Sequence, residues 1–161
     1  MTSPAQAATA DTDVDLASES IGFELAAAEL YASAIAAGAD NDLFATIREQ
    51  HESFAERLSG IVGVRAKGAD AAFAAALETG FAAADPAAAA ELENTLAAHY
   101  VARLAELPDT VRGQALAGAF AAILASESRQ AVLLAGLAQV SDLEAVYVNP
   151  RLDITDQVIK A

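Results

Sequence analysis

The sequence predicts an all-α protein, and three observations predict it. Apolar residues recur at steps of three and four through long stretches, the pattern of one helix face. Ala, the strongest helix former, dominates the 55% hydrophobic content. The β-branched and aromatic alternation that marks strands is missing. With 161 residues, the chain suits one domain with its own core.

Residues 1–12 are small and polar-to-neutral, include Pro4, and read as a flexible arm. A first helix is expected from near Asp13 to about Ala37, with Gly38 as its stop. A second follows Asp40 or Asn41, either of which can cap, and ends between Gly60 and Gly63. Residues 64–85 form a long connector: VRAKGAD is loop-like, and AAFAAALETGFAAA reads as a shorter helix. Asp85 as cap and Pro86 at the first helical position open the next long helix, which runs to about Leu107. Pro108 breaks the chain, Asp109 or Thr110 caps, and a last helix runs to roughly Ala138. Residues 140–161 lose helical periodicity, contain Asn149-Pro150 and read as an extended tail. The predicted domain is thus residues 13–139, made of two helix hairpins joined by one long crossover.

Composition excludes several functions. A net charge of −14 argues against nucleic acid, whose phosphates call for clustered Lys and Arg, and against anionic lipid. The apolar stretches look too interrupted by Glu, Arg and Gln to span a membrane. Zero Cys removes disulfides, thiolate metal sites and Cys catalysis. MTSPAQAATADTD has neither a basic start nor an apolar core, so the expected location is cytoplasmic. There is no Gly-rich phosphate loop, no G-x-S-x-G elbow and no zinc spacing.

The chemistry sits in polar residues placed inside apolar stripes. Glu24 lies between Ile21, Ala28, Tyr31 and Ile35; His51 lies between Phe44, Ile47, Phe54 and Leu58. Glu93 lies between Ala89, Leu96, Tyr100 and Leu104; Glu127 lies between Phe120, Ile123, Leu134 and Leu137. Each comes from a different long helix, and a carboxylate on a buried face is costly unless something positive meets it. Convergence of such groups is how a bundle builds a metal site. Glu24 and Glu93 are each followed seven residues later by a Tyr, Tyr31 and Tyr100, two turns on along the same face. Each residue also has a plain reading. Glu24 could reach solvent at the core edge, His51 could be a hydrogen-bonded core histidine, Arg48 could snorkel outward, and both Tyr could simply pack. His99 lies off the Glu93 face and stays outside the site.

Over about residues 14–138 the chain resembles the ferritin-like superfamily, in the rubrerythrin and bacterial ferritin-like-domain sense. The resemblance rests on FELAAAELY, IREQHESFAERL, ELENTLAAHYVARL and ILASESRQAVLLAGL. It implies a four-helix bundle with a long crossover between the second and third bundle helices. It also implies a dimetal site made of one Glu from each of two helices and a Glu-x-x-His pair from each of the others. Glu24, His51, Glu93 and Glu127 match that pattern as metal ligands. Arg48 stands where the first pair needs Glu, and Gln130 where the second needs His. Arg is permanently charged, so Arg48 is expected among the three carboxylates, replacing metal charge. The implied function is a non-ferroxidase binding or scaffold protein without cofactor, on a fold whose dimetal site has decayed. The alternative is an iron- or manganese-dependent oxidase, ferroxidase or iron-storage protein with a reduced ligand set. A homo-oligomer, or a protein partner held by the C-terminal tail, is expected.

Overall fold

The computed structural model describes residues 4–39, 41–81 and 84–140, which form five α-helices and no strand. The arm expected at residues 1–12 is helical from Pro4: α1 spans Pro4–Ala36 rather than starting near Asp13. Proline pre-sets the first helical φ, and Ala5, Ala7, Ala8 and Ala10 carry the helix onward with high propensity. Its end is closed by Gly38 at φ 99°, with Gly38 N–H donating to Ile35 and Ala39 N–H to Ala34.

Helix α2 (Asn41–Val62) returns along α1 and stops at Gly63, whose φ is 68°. The connector carries α3 (Ala71–Phe81), started by the Asp70 carboxylate accepting from Phe73 N–H at 2.9 Å. The Asp70 N–H donates to the carbonyl of Gly22, which pins this cap to α1. From there Phe73 packs on Phe23, ring centroids 4.7 Å apart, and Phe81 meets Tyr31 edge-on. So the crossover helix covers α1 and also touches α4 (Pro86–Glu106).

The Asp85 carboxylate accepts from Ala87 N–H and opens α4. Helix α5 (Val111–Leu137) opens on Thr110, whose hydroxyl accepts from Gly113 N–H. Asp13, buried, lies 3.1 Å from the Thr110 hydroxyl and 3.3 Å from Arg112 Nε, tying α1 to the start of α5. The strongest packing pairs are α1 with α2 and α4 with α5, and α2 also packs on α5. The tail expected at residues 140–161 lies outside the described residues except for Val140, which packs on the core.

Against expectation, α5 is long and apolar enough to cross a membrane, with a mean hydropathy of 1.2 over its best window. Its composition explains this: from Gly113 to Ser126 no charged residue interrupts it. In this fold its inner face is instead buried on α4 and α2.

Apolar side chains form two clusters. One gathers Phe23, Leu30, Tyr31, Phe44, Phe73 and Phe81; the other gathers Ile21, Leu58, Tyr100, Leu116, Phe120 and Ile123. Each holds one of the two tyrosines singled out by the sequence.

Two single substitutions test this backbone reading with opposite signs. At the end of α5, Gln139 adopts φ 56°, with Gln139 N–H donating to Gly136 and Val140 N–H to Ala135. That is the cap Gly38 makes on α1, here built on a residue that pays a left-handed penalty of about 1 kcal/mol. Gln139→Gly should raise unfolding free energy by up to about 1 kcal/mol. A Cβ at Gly113 would lie 2.0 Å from the Pro108 carbonyl oxygen, so the α4–α5 turn must shift to admit it. Gly113→Ala should cost about 1–3 kcal/mol. Urea denaturation measures both.

Candidate functional site

Glu24, His51, Glu93 and Glu127 come together, one each from α1, α2, α4 and α5, and all four are fully buried. Their helices put them there because each sits on an apolar stripe, so burying the stripe carries the polar group inward. His51 Nδ1 lies 2.7 Å from Glu24 Oε2, and Nε2 lies 3.4 Å from Glu93 Oε1. Its ring is stacked on Tyr31 at 5.5 Å between centroids.

The two tyrosines complete the cluster in a crossed pattern. Tyr31 of α1 donates its hydroxyl to Glu93 of α4, and Tyr100 of α4 donates to Glu24 of α1. Advancing seven residues on one helix means retreating seven on the other, so α1 and α4 run antiparallel across the site. The Glu–Tyr echo in the sequence is therefore an intermolecular-looking exchange within one chain: each helix satisfies the other's carboxylate. Because Tyr31 and Tyr100 belong to different apolar clusters, the polar groups lie between the two.

Gln130, also buried, borders the same carboxylates. With carboxylates facing it, its amide orientation is assigned with the NH2 toward them. So placed, it donates to Glu93 Oε2 at 2.9 Å and Glu127 Oε2 at 3.2 Å, and its carbonyl faces the Gln50 amide. Gln50 gave no signal in the sequence, where it reads as an ordinary polar residue beside the buried stripe.

Arg48 departs from expectation. It does not join Glu24, Glu93 or Glu127; its side chain is 36% exposed and pairs with Glu52, one turn along α2, at 3.6 Å. The physical reason is twofold. A position three residues before His51 lies about 60° around the helix, close enough to the edge for a long stem to carry its charge outward. His51 already meets the carboxylates, so no second cation is needed. His99 stays apart, as expected: its Nε2–H reaches Ser20 Oγ at 2.9 Å, while Ser20 donates to the Leu16 carbonyl.

The site divides its charge unevenly. Burial alone would lower the His51 pKa, but the Glu93 charge and the hydrogen bonds to Glu24 and Glu93 outweigh it and raise it to about 10. His51 is thus an imidazolium. Burial raises the Glu93 pKa, yet the His51 charge and hydrogen bonds involving Glu127, His51 and Tyr31 leave it lowered. Burial and then the charge of Glu93 push Glu127 well up, so Glu127 holds a proton and shares it with Glu93. Two carboxyls side by side cannot both ionise cheaply, and only Glu93 has an imidazolium nitrogen within 3.5 Å. Burial, followed by the charges of Glu93 and Glu24 respectively, keeps both tyrosine hydroxyls protonated as donors.

Fit to a metal depends on free donor atoms. A dimetal centre does not fit: position 48 points out as a cation, position 130 offers an amide, and both His51 nitrogens face carboxylates. A single ion is better provided for. One donor atom each from Glu24, His51 and Glu127 lies within 4.8 Å of the others. Glu127 Oε1 makes no hydrogen bond among the described residues. No family model, no curated protein and no solved structure matches the chain.

Three predictions follow the charge pattern. His51, raised from 6.5 to about 10, contributes stability that is complete below pH 6.5 and lost as pH rises through about 10. The tyrosines extend that loss above pH 10, because only the unfolded chain ionises them there. Unfolding free energy should therefore fall by a few kcal/mol between about pH 6.5 and 10. His51→Gln should remove the His51 part of this slope and cost about 3–5 kcal/mol at neutral pH, since it leaves buried carboxylates without their cation. Tyr31→Phe and Tyr100→Phe should each cost about 1–3 kcal/mol by stripping a donor from a buried carboxylate. Denaturation across pH reads all three.

Proposed function

We propose that this chain is a ferritin-like four-helix bundle whose dimetal centre has been replaced by a self-neutralising core, and that it serves as a non-ferroxidase binding or scaffold protein. The observation that carries this reading is the His51 imidazole, whose two nitrogens face Glu24 and Glu93 where metal ions would need those same atoms. An imidazolium supplies one positive charge between two carboxylates, and the proton on Glu127 removes a third negative charge. What remains is a core with little appetite for two divalent ions. The crossed Tyr–Glu pairs support the same reading, because each occupies a carboxylate oxygen that a ferroxidase would keep open for metal.

A second reading, an oxidase with a single iron or manganese, is favoured by one observation: the Glu24–His51–Glu127 donor group with its unsatisfied Glu127 oxygen. Carboxylate and imidazole suit either ion. In that case the chain's residues would bind the ion and orient it, with Tyr31 and Tyr100 holding Glu93 and Glu24 in place.

Anaerobic titration with Fe(II) and with Mn(II), followed by oxygen exposure, separates the readings. The scaffold reading expects no tight ion and no oxygen consumption. Two ions per chain with turnover would overturn it, and one ion per chain, lost in Glu127→Gln, would establish the second reading. Arg48→Glu with Gln130→His should create affinity for a metal pair that the natural chain lacks.

A further inference from the structure

We propose that the outer face of α5 is a docking strip for the chain's own C-terminal segment, residues 141–154. The face is unusual for this protein. The sequence holds 23 acidic residues against nine Lys and Arg. Yet the one carboxylate of α5, Glu127, points into the core, so the exposed side of this helix carries none. What it does expose is apolar: Val132 is 54%, Leu133 50% and Leu137 55% exposed. Toward its start the same side is lined by Ala and Gly, including Gly118, Ala122 and Ala125, which let another backbone approach closely. Isolated exposed hydrophobics need no explanation, but a run at one end of a face without carboxylates does.

Position, reach, composition and concentration name the occupant. The first is position: the cap at Ala138–Val140 ends the helix just past the exposed Leu137, with Val140 N–H bonded back to Ala135, so the segment begins at the apolar end of the strip. The second is reach. Helix α5 has 27 residues, so it is about 40 Å long at 1.5 Å each. Residues 141–154, extended at roughly 3.3 Å each, cover about 46 Å. The third is composition. The segment offers Leu143, Val146, Val148, Leu152 and Ile154 to an apolar face. It also brings Asp142 and Glu144 past Arg129, which is exposed on that face and forms no ion pair among the described residues. The fourth is concentration. A tethered segment meets its strip at an effective concentration of the order of millimolar, so it outcompetes a second copy at ordinary protein concentrations. Docking there leaves the bundle without an exposed apolar edge of its own.

Paramagnetic labelling of the full chain tests this. Because the protein has no Cys, Ala125→Cys places one nitroxide on the strip, at an exposed small residue. Docking predicts that amide signals of residues 143–154 lose most of their intensity, equally at low and high protein concentration. A label at Ala76→Cys, exposed on α3, should leave them largely intact. Leu133→Asp with Leu137→Asp, in the labelled chain, should restore the lost intensity. Signals unaffected by the Ala125→Cys label would overturn the proposal. So would broadening that appears only when labelled protein is mixed with a separate isotope-enriched copy, which would make the occupant a second chain.

Discussion

A single imidazolium organises the interior. His51 stands between Glu24 and Glu93 with no solvent contact, and its proton inventory decides whether three carboxyls from three helices can be buried together. Without it, two ionised carboxylates would face each other in a low-dielectric core, at a cost no surrounding packing readily offsets. With it, one carboxyl keeps its proton and two tyrosines spend their hydroxyls on the remaining oxygens. The helices are held in register by these contacts as well as by apolar packing. α1 and α4, whose backbones come close at few points, are joined by reciprocal Tyr–Glu bonds at two levels.

A polar core of this kind adds little to net stability beyond what a well-packed apolar core would give, but it is directional. Sliding one helix by a turn would separate both Tyr–Glu pairs and strand His51. The apolar clusters on either side specify register less sharply, since apolar burial is not directional. The polar cluster therefore specifies the alignment, and the apolar clusters supply most of the driving force.

Much of this was legible in the sequence. The long helices, their Asp85 cap, an Asp109 or Thr110 cap and the Gly38 stop follow from local chemistry, and the structure shows Asp85, Gly38 and, of the two candidates, Thr110. The four central residues were legible because each interrupts an apolar stripe, a signal that burial makes unavoidable. The seven-residue Glu–Tyr echo was visible too, but not its crossing, since a sequence does not say which helices face each other or in which direction. Arg48 was misplaced for a related reason: side-chain length lets a residue near a buried face choose between core and solvent, and that choice was settled by whether another cation already filled the core. Gln50 was silent because an amide at a helix edge looks the same whether it meets water or Gln130. At the N-terminus, Pro4 reads as a loop breaker or as a helix opener, and only the structure distinguishes them.

The most direct test is the protonation state of His51, read from the ring nitrogen chemical shifts of 15N-histidine-labelled protein at pH 8. The account predicts that both nitrogens of His51 are protonated there, as in an imidazolium, with no change on adding Fe(II)-mimicking Zn(II). A neutral ring titrating near the ordinary histidine value, or a ring nitrogen that shifts to a metal-bound position on addition of the ion, would contradict it.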